Sequence, residues 1–516
     1  MNIKRAKEEI RNSIEAYLSK NEYGEYRIPP IRQRPLLLIG PPGIGKTQIM
    51  EQIARENKLG LVSYTITHHT RQSAIGLPFI REKEYGGKSY SVTEYTMSEI
   101  IASVYDKMEQ TGLKEGILFI DEINCVSETL APAMLQFLQC KTFGNQKVPE
   151  GWIIVAAGNP PEYNKSVREF DVVTLDRIKK IEVEADFSVW KEYAYESGIH
   201  NAVISYLELK KEYFYKVETT VDGKLFATAR GWEDLSQLIR VYEDLGKTID
   251  REVIYQYIQH WRIAKDFANY LELYYKYRKD YRVKEILEGR ISDGAVDRIR
   301  RAAFDEKLSV IGLLLAALHE QFETAWRFDQ YVTGLYGQMK KYKKSLALDG
   351  AEVAENQKGG DAAELLAEIC EEFAAELGQQ KKAEHLTREE EHIQTEILHT
   401  LEGYRTELKG EGTAKKEEAF ARVKEWFGAK TRERTAYLEK ADRALNCAFD
   451  FMERAFGDSQ EMVVFITELN TDYFAVWFVD MNGCDRFYKY NKSLLFSERQ
   501  KGILQELAEI EAGGPF

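Results

Sequence analysis

Short apolar runs alternate with amphipathic stretches over the first third of the chain. PLLLIG (Pro35–Gly40), LVSYTI (Leu61–Ile66), GILFID (Gly116–Asp121) and WIIVAAG (Trp152–Gly158) are continuous and β-rich. Such runs predict strands buried on both faces of a parallel sheet. Between them, Gln48–Asn57, Ser98–Gln110 and Leu130–Gln139 are stretches that read as helices. Strand alternating with helix predicts a doubly wound α/β sheet. After about Asp186 the apolar period turns helical, except in FYKVETTVDGKLFATA (Phe214–Ala229), where Asp222-Gly223 predicts a hairpin turn. Residues Leu346–Asp361 are rich in Gly, Ala and Glu with little periodicity and read as a linker. Beyond it, Glu364–Leu377 and Arg434–Ala455 are amphipathic helices. MVVFITEL (Met462–Leu469), DYFAVWFVD (Asp472–Asp480) and RFYKY (Arg486–Tyr490) read as strands, with Asn482-Gly483 as a hairpin turn. The expected division is an α/β core over 1–185, a mostly helical lid over 186–345, a linker over 346–361, and a C-terminal α+β module over 362–516 ending in a small antiparallel sheet. No internal repeat is visible.

Composition narrows the class. The chain has 516 residues, 44% of them hydrophobic, enough for more than one packed core. Ten of the 11 prolines lie at or before Pro161, so the loop-rich part is the first third. The net charge of −13 argues against a general nucleic-acid or membrane-surface binder. The 5 cysteines are scattered, odd in number and form no CxxC pair, which argues against a disulfide framework or a zinc site. The start, MNIKRAKEEIRN, is charged and predicts no secretory signal, and the longest apolar run, Val310–Leu318, is too short for a bilayer. The expected location is the cytoplasm.

GPPGIGKT, Gly40 to Thr47, fits G-x-x-x-x-G-K-[ST] between an apolar strand and a helical run, the context the motif requires. Gly43 and Gly45 let the backbone turn its N–H groups inward around phosphates, and the helix N-terminus adds positive potential. Lys46 reaches β- and γ-phosphates, and the Thr47 hydroxyl ligates Mg²⁺. The expected nucleotide-binding residues are Gly40, Pro41, Pro42, Gly43, Ile44, Gly45, Lys46, Thr47 and Gln48. By average residue frequencies, a chain of this length matches the motif by chance roughly one time in fifty. ILFIDE, Ile117 to Glu122, is an apolar strand ending in two acids. Asp121 is placed to hold Mg²⁺ through water, and Glu122 to orient and activate the attacking water. The alternative for these acids is ordinary strand-to-loop chemistry. In AAGNPPEYN, Ala156 to Asn164, Asn159 sits at a strand's polar end, where an amide can bond both γ-phosphate and lytic water; Asn-Pro is also a turn signal. The carboxyl ends of parallel strands gather ligands, so these motifs should converge.

Together these residues resemble the AAA+ ATPases, most closely the MoxR-type branch of the helix-2-insert group. The resemblance is carried by GPPGIGKT, ILFIDEIN, LQFLQCKTFGNQKVPEGWIIVAAGNPPEYN and VTLDRIKKIEV, and more weakly by TARGWEDLSQLI, Thr228 to Ile239. It implies that Glu122 is the catalytic glutamate and Asn159 sensor 1. Arg177, in Leu175-Asp176-Arg177, stands where the family has the arginine finger that completes a neighbour's site, with Arg168 a second candidate. An always-charged, bidentate guanidinium suits that task. Arg177 also reads as a surface arginine paired with Asp176 or Asp171. Arg230 looks like sensor 2, although the family usually has proline where this chain has Ala229. The resemblance further implies ATP and Mg²⁺ as cofactors, a ring of identical subunits (most often a hexamer), remodelling of a protein client, and a von Willebrand factor A domain partner.

Two loops read as substrate-handling hairpins in such a ring or as plain surface hairpins: Gly76–Tyr95 around Gly86-Gly87, and Lys141–Gly151 around Gly144-Asn145. His68-His69 does not read as a metal pair, because adjacent strand residues face opposite ways. The tyrosines of Tyr270–Arg282 sit at helical spacing and read as lid core rather than a single-strand stacking platform. The main rival function is a nucleic-acid motor or restriction-type NTPase, which the −13 charge disfavours. A P-loop small-molecule kinase is the second rival; the ordered Asp-Glu, Asn and Arg set fits a hydrolase better.

Overall fold

The computed structural model describes residues 1–68, 70–143, 146–163, 167, 170–221, 223–346, 361–411 and 415–492. The linker expected at 346–361, apart from its end residues, lies outside them, as do Arg168, His69, Gly144 and Asn145. Two compact units emerge. The first comprises Met1–Val189, Thr228–Arg230 and Ala375–Glu391; the second comprises Trp190–Ala227, Gly231–Ala374 and His392 onward.

The first unit is built on a five-stranded sheet. Its strands are β1 (Leu36–Ile39), β2 (Gly60–Thr65), β5 (Gly116–Asp121), β8 (Trp152–Gly158) and β9 (Lys179–Glu182), paired in parallel in the order β2-β5-β8-β1-β9. Two hairpins interrupt the series: β3 (Pro78–Tyr85) with β4 (Lys88–Tyr95), and β6 (Thr142–Phe143) with β7 (Gln146–Lys147). All seven residues of β8 are buried, as a central parallel strand requires. Alternate residues feed two cores. Leu36, Leu38, Ile117, Phe119, Ile153 and Val155 pack with Ile10 and Ile14 of α1 (Ile3–Leu18) and Met50 and Ile53 of α2 (Lys46–Glu56). Leu37, Leu118, Ile120, Ile154 and Ala156 face the opposite way. They meet Ile100 and Val104 of α4 (Glu99–Thr111) and Phe137 and Leu138 of α5 (Ala131–Cys140). The short α3 (Arg71–Ile75) and α6 (Val172–Leu175) lie in connections. The strands end together at the sheet's carboxyl edge, where β1, β5 and β8 release the three sequence motifs.

The second unit holds the hairpin β10 (Lys216–Thr220) and β11 (Gly223–Ala227), paired antiparallel as the sequence predicts. The rest is helical: α7 (Phe187–Glu196) and α9 (Ala229–Asp244), which cross from one unit to the other, with α8 (Asn201–Leu209), α10 (Arg251–Tyr257), α11 (Trp261–Tyr281), α12 (Val283–Leu287), α13 (Asp293–Arg301) and α14 (Phe304–Ser345). Then come α15 (Ala362–Lys382) and α16 (Arg388–Glu411), whose adjoining ends belong to the first unit, and α17 (Lys416–Ala455), α18 (Gln460–Thr471) and α19 (Tyr473–Asn482). The tyrosines of α11 do pack inward, with Tyr274 buried and Tyr270 hydrogen-bonded to Ser205 of α8 at 2.8 Å.

The C-terminal strands are corrected to helices. Met462–Leu469 lies in α18 and Asp472–Asp480 in α19 with its cap, while 485–492 is also helical; Gly483 caps α19 instead of turning a hairpin. The buried set Phe474, Ala475, Phe478 and Val479 has the spacing of one helix face. Asp472 caps it by accepting from the N–H groups of Phe474 and Ala475. A short apolar run rich in Val and Phe suits a buried helix as well as a buried strand. A second difference concerns the division near residue 346. Helices on both sides of it share one core, in which Leu335, Met339 and Tyr342 of α14 pack with Leu366 of α15, Leu401 of α16 and Val423 of α17. No single described helix is long and apolar enough to cross a membrane; α18 and α19 reach that length only as a pair bent by 90°.

Candidate functional site

The loop after β1 wraps the start of α2. Gly43 (φ 75°) and Gly45 (φ 90°) hold left-handed backbone that side chains resist, and Gly45 is the N-cap of α2. Gly40 is needed for space, because a Cβ there would sit 2.7 Å from the Val183 carbonyl. The geometry presents a helix N-terminus and inward N–H groups to an anion.

Lys46 is 8% exposed, and its ammonium donates to the Gly40 and Pro41 carbonyls at 2.8 Å each and to Asn159 Oδ1 at 2.9 Å. Asn159, at the end of β8, thus meets the phosphate-loop lysine directly. The Thr47 hydroxyl donates to Asp121 Oδ2 at 3.2 Å, joining α2 to the end of β5. This pair fits Mg²⁺: two hard oxygens lie close enough for one small cation to bridge, with water and phosphate filling its remaining positions. Among the described residues no cluster of three or more His, Cys, Asp or Glu offers another metal site.

Glu122 follows Asp121 in left-handed backbone (φ 56°), uncommon for a residue with a Cβ, and its N–H donates to Asp121 Oδ1 at 2.8 Å. That turn separates the two carboxylates, so one faces Thr47 while the other faces β2. There Thr67, just past β2, donates its hydroxyl to Glu122 Oε2 at 2.9 Å. Thr67 is a site residue that the sequence reading passed over; its only signal is a polar residue where an apolar strand ends. Asn124 is a second. Buried and quoted only as the last letter of ILFIDEIN, it donates from Nδ2 to the Asn159 carbonyl at 2.8 Å and accepts from the Asn159 N–H at 3.3 Å. Gly158 makes room for it, since a Cβ there would lie 2.5 Å from Asn124 Oδ1. The amide clamp fixes Asn159 against Lys46.

Arg230 also reaches the loop. Its N–H donates to the Gly43 carbonyl at 3.2 Å, and its Cβ lies 3.3 Å from where a Gly43 Cβ would be. The arginine held here at α9's first turn adds positive charge beside the phosphate loop. Arg177 is placed differently: it is exposed and donates from Nη1 to Gln139 of α5 at 2.6 Å. Neither Asp176 nor Asp171 pairs with it. Asp171 instead caps α6 by accepting from the Thr174 N–H at 2.8 Å.

Burial pulls the Lys46 ammonium down to about 8, with Arg230 pushing the same way and Asp121 and Glu122 opposing. A bound phosphate favours the charged form and raises it again. Nucleotide binding above pH 8 must therefore take up a proton, and affinity falls as pH rises. MgATP affinity should be flat below pH 8 and drop by about tenfold per pH unit above it. Lys46→Arg should abolish that slope, because guanidinium stays charged. The same slope in Lys46→Arg, measured by titration calorimetry, would place the proton on another group.

Residues 36–175 match the family model described as "ATPase family associated with various cellular activities (AAA)". This stretch is similar to an AAA domain. The match spans the phosphate loop, the Asp121-Glu122 strand end and Asn159, and ends before Arg177 and Arg230. No curated protein matches the chain. The AAA assignment agrees with the parallel five-stranded sheet and makes ATP the nucleotide expected in the loop.

Proposed function

We propose that this chain is a Mg²⁺-dependent ATPase of the MoxR-type branch, working as a homo-oligomeric ring that remodels a protein client. The carrying observation is the convergence of Lys46, Thr47, Asp121, Glu122, Asn159 and Arg230 in one unit. Arg177, with no carboxylate paired to it among the described residues, stands apart from them. Lys46 and Arg230 bind phosphate charge, Thr47 and Asp121 hold the cation, and Glu122 takes a proton from water once Thr67 releases it. Mg²⁺, when bound, neutralises charge between the β- and γ-phosphates. Arg177 is the cation offered to a neighbouring subunit.

The β3–β4 hairpin supports a protein client over nucleic acid. Its Gly86-Gly87 turn has both φ values positive, as a two-residue hairpin demands, and it exposes Phe79, Ile80, Tyr85 and Tyr90. Of its three cations, Arg81 and Lys83 are both paired with Glu94, while Lys88 stands beside the turn. Apolar side chains with neutralised charge grip polypeptide better than phosphate backbone. A von Willebrand factor A domain protein is the partner to seek first.

Lys46→Ala should lose MgATP binding, whereas Glu122→Gln should keep ATP bound and unhydrolysed. Lys46 acts on phosphate charge in the ground state, while Glu122 acts only on the attacking water. Filter binding with labelled ATP beside phosphate-release kinetics separates the two. Normal turnover in Glu122→Gln would remove Glu122 from the base role.

A further inference from the structure

Arg177 follows α6 with its backbone already fixed. Asp171 caps that helix, the Arg177 N–H donates to the Thr174 carbonyl at 3.0 Å, and the next residue, Ile178, is buried. The exposed side chain ends in a guanidinium whose Nη1 donates to Gln139 Oε1 at 2.6 Å. On the reading of Arg177 as the cation offered to a neighbouring subunit, we propose that Gln139 is its positioning residue.

A long exposed side chain samples many rotamers, and fixing it at a reacting phosphate costs free energy. The bond to Gln139 selects a rotamer beforehand. Its acceptor is a neutral amide, so the guanidinium keeps the full charge that a carboxylate partner would offset. The bond takes one N–H of the fork and leaves others for phosphate oxygens.

Helix α5 in turn holds Gln139. The residue lies in the last turn of α5, which has no basic residue of its own, and a helix carboxyl end favours a cation. Arg177 brings that cation from a separate segment. The turn is firmly seated. Phe137, within it, stacks on Phe143 of β6, with ring centroids 4.0 Å apart and planes 5° from parallel. The Lys141 N–H donates to the Phe137 carbonyl at 2.7 Å, and the Lys141 ammonium donates to the Pro30 carbonyl at 2.8 Å. A fixed helix end and a fixed backbone at Arg177 therefore meet through one amide, which orients the flexible side chain between them.

Steady-state ATPase kinetics on the full chain test this role beside Arg177→Ala. Gln139→Ala should lower turnover about tenfold. Its KM for MgATP should not change, because the Gln139 side chain bonds to Arg177 and not to the phosphate loop. Gln139→Glu guards against a folding explanation: it keeps the shape but sets a carboxylate against the guanidinium, and should lower turnover at least as far. Adding Gln139→Ala to Arg177→Ala should lower turnover no further, since the two residues act as one. Mixing Gln139→Ala subunits with Glu122→Gln subunits should recover activity, because some interfaces then join an intact Glu122 to an oriented Arg177. Normal turnover in Gln139→Ala alongside a slow Arg177→Ala would overturn the positioning role and leave the neighbour reading standing. A loss in Gln139→Ala that mixing does not relieve would overturn it too, by placing the defect in the subunit's own site. Full activity in Arg177→Ala would overturn both.

Discussion

Arg177→Ala should cut ATP turnover by about 10³–10⁵ while MgATP affinity stays nearly intact. The proposed ground-state ligands of the phosphates lie elsewhere: Lys46 bonded to Asn159 and the loop carbonyls, and Arg230 bonded to Gly43. Losing Arg177 leaves all of these in place. What is lost is charge stabilisation at the moment the γ-phosphoryl group transfers, and that appears in turnover alone. Because Arg177 is exposed and bonded to Gln139, its removal costs the subunit little stability. The neighbour role has a sharper signature. Mixing Arg177→Ala subunits with Glu122→Gln subunits should restore activity, since some interfaces then pair an intact Glu122 with an intact Arg177. Arg168→Ala is the control for the rival finger. Full activity in Arg177→Ala together with a dead Arg168→Ala would move the role to Arg168. Full activity in both would mean that one chain completes its own site.

The contacts at this site show which parts of it a linear reading can reach. Gly40 to Thr47 is legible because its residues act through local backbone geometry, and their spacing alone encodes it. Asp121 and Asn159 are legible because each ends an apolar strand, and parallel strands end at one edge. Asn124 and Thr67 are not. Asn124 matters only because β8 lies beside β5, so that its amide meets the backbone of Asn159. Thr67 matters only because β2 pairs with β5 on the other side, bringing its hydroxyl to Glu122. Strand order, and not strand identity, creates both contacts. A sequence shows that strands exist well before it shows which are neighbours.

The C-terminal half fails for a related reason. Val463, Val464, Phe465 and Ile466 are good strand formers one by one, and their run is too short for its period to decide. Tertiary burial settles it: Phe322 of α14 packs on Phe478 with ring centroids 4.8 Å apart, and Trp326 on Phe474 at 5.2 Å. The long partner helix that makes this possible lies more than a hundred residues upstream. Buried charge follows the same route. Lys191 of α7 is enclosed between Glu208 of α8, at 2.8 Å, and Glu468 of α18, which also accepts from Tyr195 at 2.7 Å. His319 of α14 meets Asp472 at 2.8 Å.

Those links make truncation after Leu346 the most damaging change expected. Lying beyond the linker, without a phosphate or metal motif and with apolar runs of its own, the stretch from about residue 362 reads in the sequence as a separate module, dispensable for nucleotide binding and needed for partner or client recognition. The packing predicts the opposite. Removing it strips the partners from Phe322, Leu335, Met339 and Tyr342, all buried on α14. At about 1.5–3 kcal/mol for each large apolar side chain returned to water, the loss rivals the whole stability of a typical domain, about 5–15 kcal/mol. It also leaves Lys191 without Glu468 and His319 without Asp472, groups whose burial costs free energy once unpaired. Residues Ala375–Glu391 leave too, and with them the contacts of Glu384 to Lys107 at 3.3 Å and of His385 to the Leu59 carbonyl at 3.3 Å in the first unit. A chain ending at Leu346 should therefore be insoluble, or bind MgATP only in a loosened form with a broad melting transition. Lys191→Met in the full chain tests the same coupling gently, and should lower unfolding free energy by about 3–5 kcal/mol because Glu468 stays buried and charged. A monodisperse fragment 1–346 that binds MgATP like the full chain would show that the helices beyond it form a core of their own.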